Sequence, residues 1–449
     1  MFTGIAGSIE PKIHLPVNNS PSPTLGKSPR GAWLLLWNVG QRKTLYLCAL
    51  VLGFCALVLV IYLLQIWGDR KGQISGYPPP FGDFFALWSY AKIAIAHPVT
   101  ELYNFSTLHA RQVALGMNPS RQNPFPYPPT FIVLLWPLGL LPYEVAYLVW
   151  TVGTLALFVW AVAATCSRLP LCVLGVILAP ASAATIVYGQ SGFFAAALIA
   201  AGIRIAGSRP ILGGILLGIL SYKPQLGFLV PIALFSAGFW PALRAACATV
   251  AGLAAFATLA FGWAVWPAWI SMLPAYAEIF DTWPVQKFTP TIIGNLQLVG
   301  LTLPMAKDIQ ALAAVVVAIL VWGCFRRKPT RLAAAALLVG TFLATPHAFL
   351  YDLPMVMAAV ALFIQARLEV SATFNLAEIL ILVLAVVFPA LMLVDGLNAP
   401  VSSVPLVLLF GLILWHEKRL GRLTCANAIT PRVGNISSPC SVQITAVSQ

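Results

Sequence analysis

The stretch LYLCALVLGFCALVLVIYLLQIW, residues 45–67, decides the fold, because it contains no charged residue. At 1.5 Å per residue, a helix of this length crosses a hydrocarbon core roughly 30 Å thick. Of the 449 residues, 60% are hydrophobic and 9% are charged, whereas about a quarter of a soluble domain is charged. The composition excludes a soluble enzyme, a disordered chain, a collagen and a disulfide-stabilised domain. It predicts an all-α polytopic membrane protein.

The chain outside this segment divides into tails, membrane runs and polar stretches. Residues 1–44 are rich in Pro, Ser and Asn, which predicts a disordered basic cytoplasmic tail. Residues 45–416 form the predicted membrane domain, and 417–449 form a second cytoplasmic tail. Two polar stretches, 68–129 and 267–307, are predicted to be outer loops. Within the first, the pattern predicts amphipathic helices over Phe84–Ala96 and Ser106–Leu115, the latter capped by Asn104 or Ser106.

The remaining apolar runs set the number of predicted spans. They lie at about 130–141, 143–166, 170–187, 191–206, 210–221, 224–239, 245–266, 308–325, 332–345, 348–366, 376–394 and 400–415. Several are shorter than the roughly 20 residues that a span needs. If 130–141 only dips into the membrane and every other run crosses it, the chain has about twelve spans.

The Lys and Arg residues indicate the orientation, because cytoplasmic loops carry the excess. With 130–141 re-entrant, 18 of the 26 Lys and Arg residues lie on the cytoplasmic side. If that run spans and everything after it flips, only 8 of the 26 do. A third scheme, in which 130–141 spans and 210–239 crosses once, keeps 15 of the 26 inside and stays open. The preferred scheme predicts a multi-pass protein of the cell (inner) membrane with both termini cytoplasmic.

The net charge and the absence of several sequence motifs limit which ligands this protein is expected to bind. The net charge of +13 comes from cations scattered singly between apolar runs, which fits membrane topology better than nucleic-acid binding. No glycine-rich nucleotide loop, zinc-binding spacing or nucleophile-elbow serine occurs in the sequence. We therefore expect no nucleic-acid partner, no bound metal and no cofactor.

Asp83 is the first candidate for chemistry, since ionisable groups at a bilayer are costly and are usually functional. It begins an amphipathic helix on the predicted outer face, among aromatic residues that would raise its pKa. Such a carboxylate suits a general base that takes a proton from a hydroxyl group. The alternative is a carboxylate that only caps the helix.

The other candidates also fall on the predicted outer face. Lys223 interrupts an apolar stretch and either binds a lipid-linked phosphate or only extends toward the lipid headgroups. His347 and Tyr351 are four residues apart, which predicts a shared helix face, and Asp352 follows them. A chance group of boundary residues is the alternative. Tyr127 and Gln190 give weaker signals.

Several motifs in a fixed order resemble glycosyltransferase family 87. They are Gly82-Asp83-Phe84-Phe85 with Tyr90, Leu102-Tyr103, Phe125-Pro126-Tyr127-Pro128-Pro129 leading to Trp136-Pro137-Leu138 and Leu141-Pro142, Gly189-Gln190, Gly213-Gly214 through Tyr222-Lys223-Pro224-Gln225, and Pro346-His347 with Tyr351-Asp352. The resemblance covers roughly residues 45–415. It implies the C-type glycosyltransferase fold, with a long first outer loop that carries the catalytic carboxylate.

The resemblance also implies a reaction. Enzymes of this family are mannosyltransferases that use a polyprenyl-phosphate-linked sugar, and their aspartate, lysine and histidine match Asp83, Lys223 and His347. The implied partners are the lipid bilayer, this donor and a lipid or glycan acceptor, and the implied site lies on the outer face. No second aspartate follows Asp83 two residues on, so the Asp-x-Asp metal pair is missing. A transporter or lipid flippase, or a structural or assembly subunit, remains the alternative.

Overall fold

A computed structural model describes residues 39–68, 83–165, 170–282, 289–326, 329–370, 374–391 and 402–429. In these ranges the regular structure is helical, without strands. The α-helices are α1 Val39–Gly68, α2 Phe84–Ala96, α3 Phe105–Ala114, α4 Thr130–Leu135, α5 Tyr143–Thr165, α6 Pro170–Ile177, α7 Pro180–Tyr188, α8 Gly192–Ile205, α9 Pro210–Ile219, α10 Pro224–Gly227, α11 Leu229–Ser236, α12 Trp240–Phe261, α13 Val265–Thr282, α14 Ile292–Leu298, α15 Leu303–Phe325, α16 Arg331–Ala344, α17 Pro354–Val370, α18 Leu376–Leu391 and α19 Val404–Ile429. Short 3₁₀ helices cover Val99–Tyr103, Trp136–Leu140, Leu220–Tyr222 and Leu350–Asp352.

In the part of the chain that the structure describes, four helical segments are long and apolar enough to cross a membrane: Tyr143–Thr165, Trp240–Phe261, Leu303–Phe325 and Leu350–Glu369. Eight shorter apolar helical segments of 10–17 residues are also described, among them Ala49–Ile61 within α1. The prediction of an all-helical membrane protein therefore agrees with the structure of the described residues. The number of twelve spans stays a prediction.

The helix ends differ from the predicted domain boundaries. Helix α1 begins at Val39, inside the predicted N-terminal tail, because Gln41, Arg42 and Lys43 favour helix and extend it beyond the apolar run. Helix α19 continues to Ile429, so the predicted C-terminal tail starts with helix. The rest of both tails, 1–38 and 430–449, lies outside the described residues.

The centre of the bundle is formed by α8 and α16. Almost every residue of these two helices is buried, and both are rich in alanine. Helix α8 packs against α5, α9 and α17, and α16 packs against α15, α17 and α19. Small side chains allow helix backbones to approach closely in a membrane. These two helices therefore hold the other elements in fixed positions.

The segment 130–140 consists of α4 and a 3₁₀ helix that together contain only eleven residues. At 1.5–2.0 Å per residue it extends roughly 20 Å, which is too short for a hydrocarbon core of about 30 Å. It packs on α2: a Cβ atom added at Gly139 would lie 2.6 Å from the carbonyl carbon of Ala91. This geometry agrees with a segment that dips into the membrane.

The segment 210–239 leaves one end of the bundle and returns to it. Gly214 lies against Ala242 and Gly218 lies against Ala246, so α9 and α12 run parallel and begin at the same end. The ring of Phe239 lies 3.1 Å from the position of a Cβ at Gly207. The scheme in which 210–239 crosses once would separate these ends, so the structure contradicts it. The reversal between the two halves contains Lys223.

The first polar stretch contains the two predicted helices. Helix α2 has the predicted bounds, and α3 begins one residue before the predicted start and is capped by Asn104, whose side chain accepts the Thr107 N–H. Residues 69–82 of the predicted loop lie outside the described residues. The second predicted loop contains α13 and α14.

Aromatic side chains hold the proline-rich segment before α4 in place. The Tyr90 hydroxyl donates to the Pro124 carbonyl at 2.7 Å, the Tyr103 hydroxyl to the Tyr127 carbonyl at 3.2 Å, and the Trp269 indole N–H to the Pro126 carbonyl at 3.2 Å. A segment of prolines offers few backbone N–H donors, so these bonds to its carbonyls fix its path. Tyr127 is thereby positioned.

Candidate active site

Asp83 occupies the N-cap position of α2, but its side chain does not cap the helix. Its backbone has helical angles, φ −69° and ψ −18°, and its side chain makes no capping hydrogen bond. Instead, its Oδ2 accepts a hydrogen bond of 3.4 Å from Nε2 of Gln190, 107 residues away. The residue as a whole is half-buried. The Asp83 side chain therefore does not make the hydrogen bond that the capping alternative requires.

The surroundings of Asp83 shift its protonation equilibrium. Burial raises the pKa of the Asp83 carboxyl from 3.8 to about 6, while the Gln190 hydrogen bond and the charge of Arg121 oppose that rise. A carboxylate with a pKa near neutrality is a better proton acceptor than an ordinary surface aspartate and is still ionised at pH 7. This is the property required of a general base.

The loop 189–192 joins the Asp83 region to the region of Tyr351. Gly189 has a left-handed backbone, φ +62°, and a Cβ there would overlap the Cβ of Phe84. A Cβ at Gly192 would overlap the carbonyl oxygen of Tyr351. The Gly-Gln-Ser-Gly sequence thus lets one loop contact both regions at backbone distance.

This close contact predicts that Gly192→Ala destabilises the protein, because the added methyl group must displace the backbone at Tyr351. We expect a cost of roughly 1–3 kcal/mol, typical of overpacking, measured as a lower thermal unfolding midpoint of the purified protein in detergent. Gly252→Ala is the matched control, since Gly252 has open space around its Cβ position. Equal midpoints for wild type and Gly192→Ala would contradict the packing described.

Lys223 forms a buried ion pair with Asp352. Its Nζ donates to Oδ1 of Asp352 at 2.6 Å, and the two side chains are only 3% and 0% exposed. Nζ also lies 5.2 Å from the centre of the Tyr351 ring, a cation–π contact. The Oδ2 atom of Asp352 accepts the backbone N–H of Phe349 at 3.2 Å. The headgroup interpretation of Lys223 is therefore wrong, because the ammonium group points into the protein.

Tyr127 is close enough to both Asp83 and Asp352 to be influenced by their charges. Burial raises the pKa of its hydroxyl well above the usual value, and the nearby Asp83 and Asp352 raise it further. Its ring contacts Phe131 in a tilted arrangement with centroids 4.6 Å apart, and Phe131 stacks on Tyr222 at 4.5 Å. Within the described ranges, no hydrogen bond of its hydroxyl to a protein atom occurs. A protonated phenol in this position is an available hydrogen-bond donor.

His347 lies apart from this group. Together with Asp281, Ile293, Lys307 and Gln310 it lines a cavity of about 390 Å³ between α13, α14 and α15. Burial lowers the pKa of its imidazole, so the ring is neutral at pH 7, and Asp281 only partly opposes this effect.

The predicted shared helix face of His347 and Tyr351 is wrong. Residues 345–349 are not helical, and the 3₁₀ helix begins only at Leu350. The reason is local: Pro346 lacks a backbone donor, and the Asp352 side chain takes the Phe349 N–H. Tyr351 instead stacks on Phe349 at 5.1 Å.

Two residues near the site were not predicted from the sequence. Arg121 acts electrostatically on Asp83, and Tyr276 acts on Tyr127. Arg121 is an isolated cation four residues before Phe125-Pro126-Tyr127, and Tyr276 lies on the apolar helix α13. The sequence positions of Arg121 and Tyr276 could have marked them as candidates. The sequence does not show which carboxylate or phenol each residue faces.

The predicted site residues thus fall into one group and one outlier. Asp83, Gln190, Tyr127, Lys223, Tyr351 and Asp352 come together around the start of α2 and the reversal after α9, whereas His347 faces the cavity beside α15. In the described ranges, no group of three or more His, Cys, Asp and Glu side chains is arranged to hold a metal ion. The absence of a cofactor stays a prediction.

Comparison with known proteins identifies the family. Residues 125–346 match the model of glycosyltransferase family 87. The match includes Tyr127, Gln190 and Lys223, while Asp83 precedes it and His347 and Asp352 follow it. The chain matches no curated protein and no solved structure with significant similarity. The family is one of sugar-transferring enzymes, so the transporter and structural-subunit alternatives are excluded. The chain belongs to glycosyltransferase family 87 and is a membrane glycosyltransferase.

Proposed function

We propose that this enzyme transfers a hexose, specifically mannose, from a polyprenyl-phosphate-linked donor to a hydroxyl group of a lipid or glycan acceptor. The site would lie on the outer face of the cell membrane, and the reaction would invert the anomeric carbon. The observation that carries the proposal is Asp83, a half-buried residue whose side chain makes no capping hydrogen bond and whose carboxyl pKa is raised by burial to about 6.

The proposed step begins with the acceptor hydroxyl beside Asp83. The carboxylate takes the proton of the hydroxyl group as its oxygen attacks the anomeric carbon of the donor sugar. A carbon–oxygen bond forms on one face, and the bond to the phosphate oxygen breaks on the other. The electron pair of that bond leaves with the polyprenyl phosphate. Attack opposite the leaving group inverts the configuration.

Gln190 and Tyr127 would orient the reactants. Gln190 holds the Asp83 carboxylate from the α8 side at 3.4 Å, which directs its free lone pairs toward the acceptor. The hydroxyl group of Tyr127 lies close to both carboxylates and stays protonated, so it can donate to a sugar or acceptor oxygen. These two residues come from different parts of the chain, and their convergence supports a single site.

Lys223 is proposed to act on the departing phosphate. The ammonium group of Lys223 has three N–H donors and uses one for Asp352 in the part of the chain that the structure describes. The others remain to donate to a phosphate oxygen as negative charge develops. His347 is neutral at pH 7 and faces the cavity beside α15, so its proposed role is a hydrogen bond, without charge, to a part of the donor that enters that cavity.

The donor and the stereochemistry test the proposal. Purified enzyme in liposomes would be given radiolabelled mannose on polyprenyl phosphate or on a nucleotide, with total lipid as acceptor. We expect transfer only from the polyprenyl-phosphate donor, and a product linkage whose anomeric configuration is opposite to that of the donor. Transfer from the nucleotide donor alone, or retention of configuration, would contradict the proposed mechanism.

The pKa of Asp83 predicts the pH dependence of the reaction. The carboxylate acts as a base only when ionised, so we expect kcat/KM to fall as the pH drops through about 6. Gln190 and Arg121 both lower this pKa, so Gln190→Leu and Arg121→Gln should each move the acidic limb of the profile to higher pH. Lys92→Gln is the control, a charge removal on the exposed side of α2. A limb that moves to lower pH in either variant would contradict the assignment to Asp83.

A further inference from the structure

A second cavity lies at the other end of the bundle from Asp83. It has a volume of about 550 Å³ and is lined by Ile203, Arg204, Gly207, Phe239, Arg326 and two neighbours. Its volume falls within the range of about 300–1,000 Å³ found for small-ligand pockets. Helix α8 begins beside Gln190 and ends at Ile205, so about 20 Å of helix separates the two sites.

Two arginines give this cavity its chemistry. Arg204 and Arg326 both line it and both are exposed. In the described ranges, neither makes a salt bridge, and no carboxylate lines the cavity. The guanidinium of Arg204 lies 5.8 Å from the centre of the Trp160 ring, which holds it against α5. Guanidinium groups bind phosphate oxygens in pairs of hydrogen bonds.

The remaining wall of the cavity is apolar. Ile203 and Ala237 contribute aliphatic side chains, and Phe239 contributes an aromatic ring that packs against Gly207. A free phosphate ion would leave this apolar surface uncovered. A phospholipid would place its phosphate between the arginines and its glycerol and first methylenes along Ile203 and Phe239. Basic pockets between helices at a membrane surface bind anionic headgroups in this way.

We propose that this cavity is a binding site for the phosphodiester headgroup of an anionic phospholipid, held by Arg204 and Arg326. The lipid belongs to the leaflet opposite the catalytic site, because the cavity lies at the opposite end of α8. The site is distinct from the donor and acceptor positions. It fixes the ends of α8, α11 and α15, which meet around it.

The test uses the purified full-length protein in a neutral detergent. Binding of short-chain phosphatidylglycerol would be followed by the thermal unfolding midpoint, with phosphatidylcholine and inorganic phosphate as the other ligands. We expect a saturable rise with phosphatidylglycerol and no comparable rise with either of the others. Arg204→Gln and Arg326→Gln should each weaken the affinity at least tenfold.

Arg209→Gln is the matched control, because Arg209 is an exposed arginine at the same end of the bundle and does not line the cavity. It should change the affinity less than twofold. Arg204→Lys and Arg326→Lys keep the charge but not the paired donors, so each should weaken binding by less than the corresponding glutamine variant. Equal weakening by Arg209→Gln would show diffuse charge attraction and overturn the site. Equal binding of phosphatidylcholine, or saturation by inorganic phosphate alone, would overturn the assignment to an anionic phospholipid.

Discussion

Replacing Asp83 by Asn is expected to lower kcat by roughly 100-fold to 10,000-fold, the usual contribution of a general base. The amide has nearly the same shape as the carboxylate and its oxygen still accepts the Gln190 hydrogen bond, so the site geometry should persist. The KM for the polyprenyl-phosphate donor should therefore change little. Steady-state kinetics of the purified variant in liposomes measures both quantities.

Asp308→Asn provides the control for this experiment, since Asp308 is an exposed carboxylate near the start of α15. It should retain wild-type kinetics. A loss that appears only in KM for Asp83→Asn would assign Asp83 to binding, and an unchanged kcat would remove its role as base.

The second large effect is expected at the buried ion pair. Lys223→Met leaves the Asp352 carboxylate buried without its partner, which costs roughly 3–5 kcal/mol in such pairs. The thermal unfolding midpoint of the purified protein should fall sharply. The double variant Lys223→Met with Asp352→Leu should recover much of that loss, because it removes both charges.

Lys307→Met is the matched control for the ion pair. Lys307 pairs with Asp281 at 2.8 Å, but the two side chains are 53% and 30% exposed. Such pairs contribute about 1 kcal/mol or less. Similar midpoints for Lys223→Met and Lys307→Met would show that the Lys223–Asp352 pair is not buried as described.

Local features of the fold could be predicted from the sequence. Helix α2 could be bounded because Gly82 precedes it and Pro98 follows it, and α3 because Asn104 is a good cap. The short run 130–140 showed its limits through Pro129 and Pro142. In each case the signal lies within a few residues of the feature.

Long-range contacts could not be predicted in the same way. Lys223 pairs with Asp352, which is 129 residues away in the sequence, and Gln190 donates a hydrogen bond to Asp83, which is 107 residues away. The sequence around a lysine at a membrane boundary does not identify the carboxylate with which it pairs. That pairing depends on how α9, α8 and the segment before α17 pack. The sequence was sufficient to select the candidate residues. Which of them lie together could be determined only from the three-dimensional structure.

The predicted shared helix face of His347 and Tyr351 was wrong for a different reason. Four-residue spacing predicts a common face only if the segment is helical. Here Pro346 and the Asp352 side chain keep 345–349 out of the helix. A separation of four residues therefore does not place His347 and Tyr351 on the same side. His347 consequently faces the cavity with Lys307, and Tyr351 faces Lys223.

The most direct test of the account is transfer of radiolabelled mannose from polyprenyl-phosphate-mannose to total lipid, in membranes that contain either the wild type or Asp83→Asn. Expression would be matched by immunoblot. We expect labelled lipid with the wild type and almost none with Asp83→Asn. Equal labelling in the two membranes, above the level of membranes without the protein, would contradict Asp83 as the catalytic base.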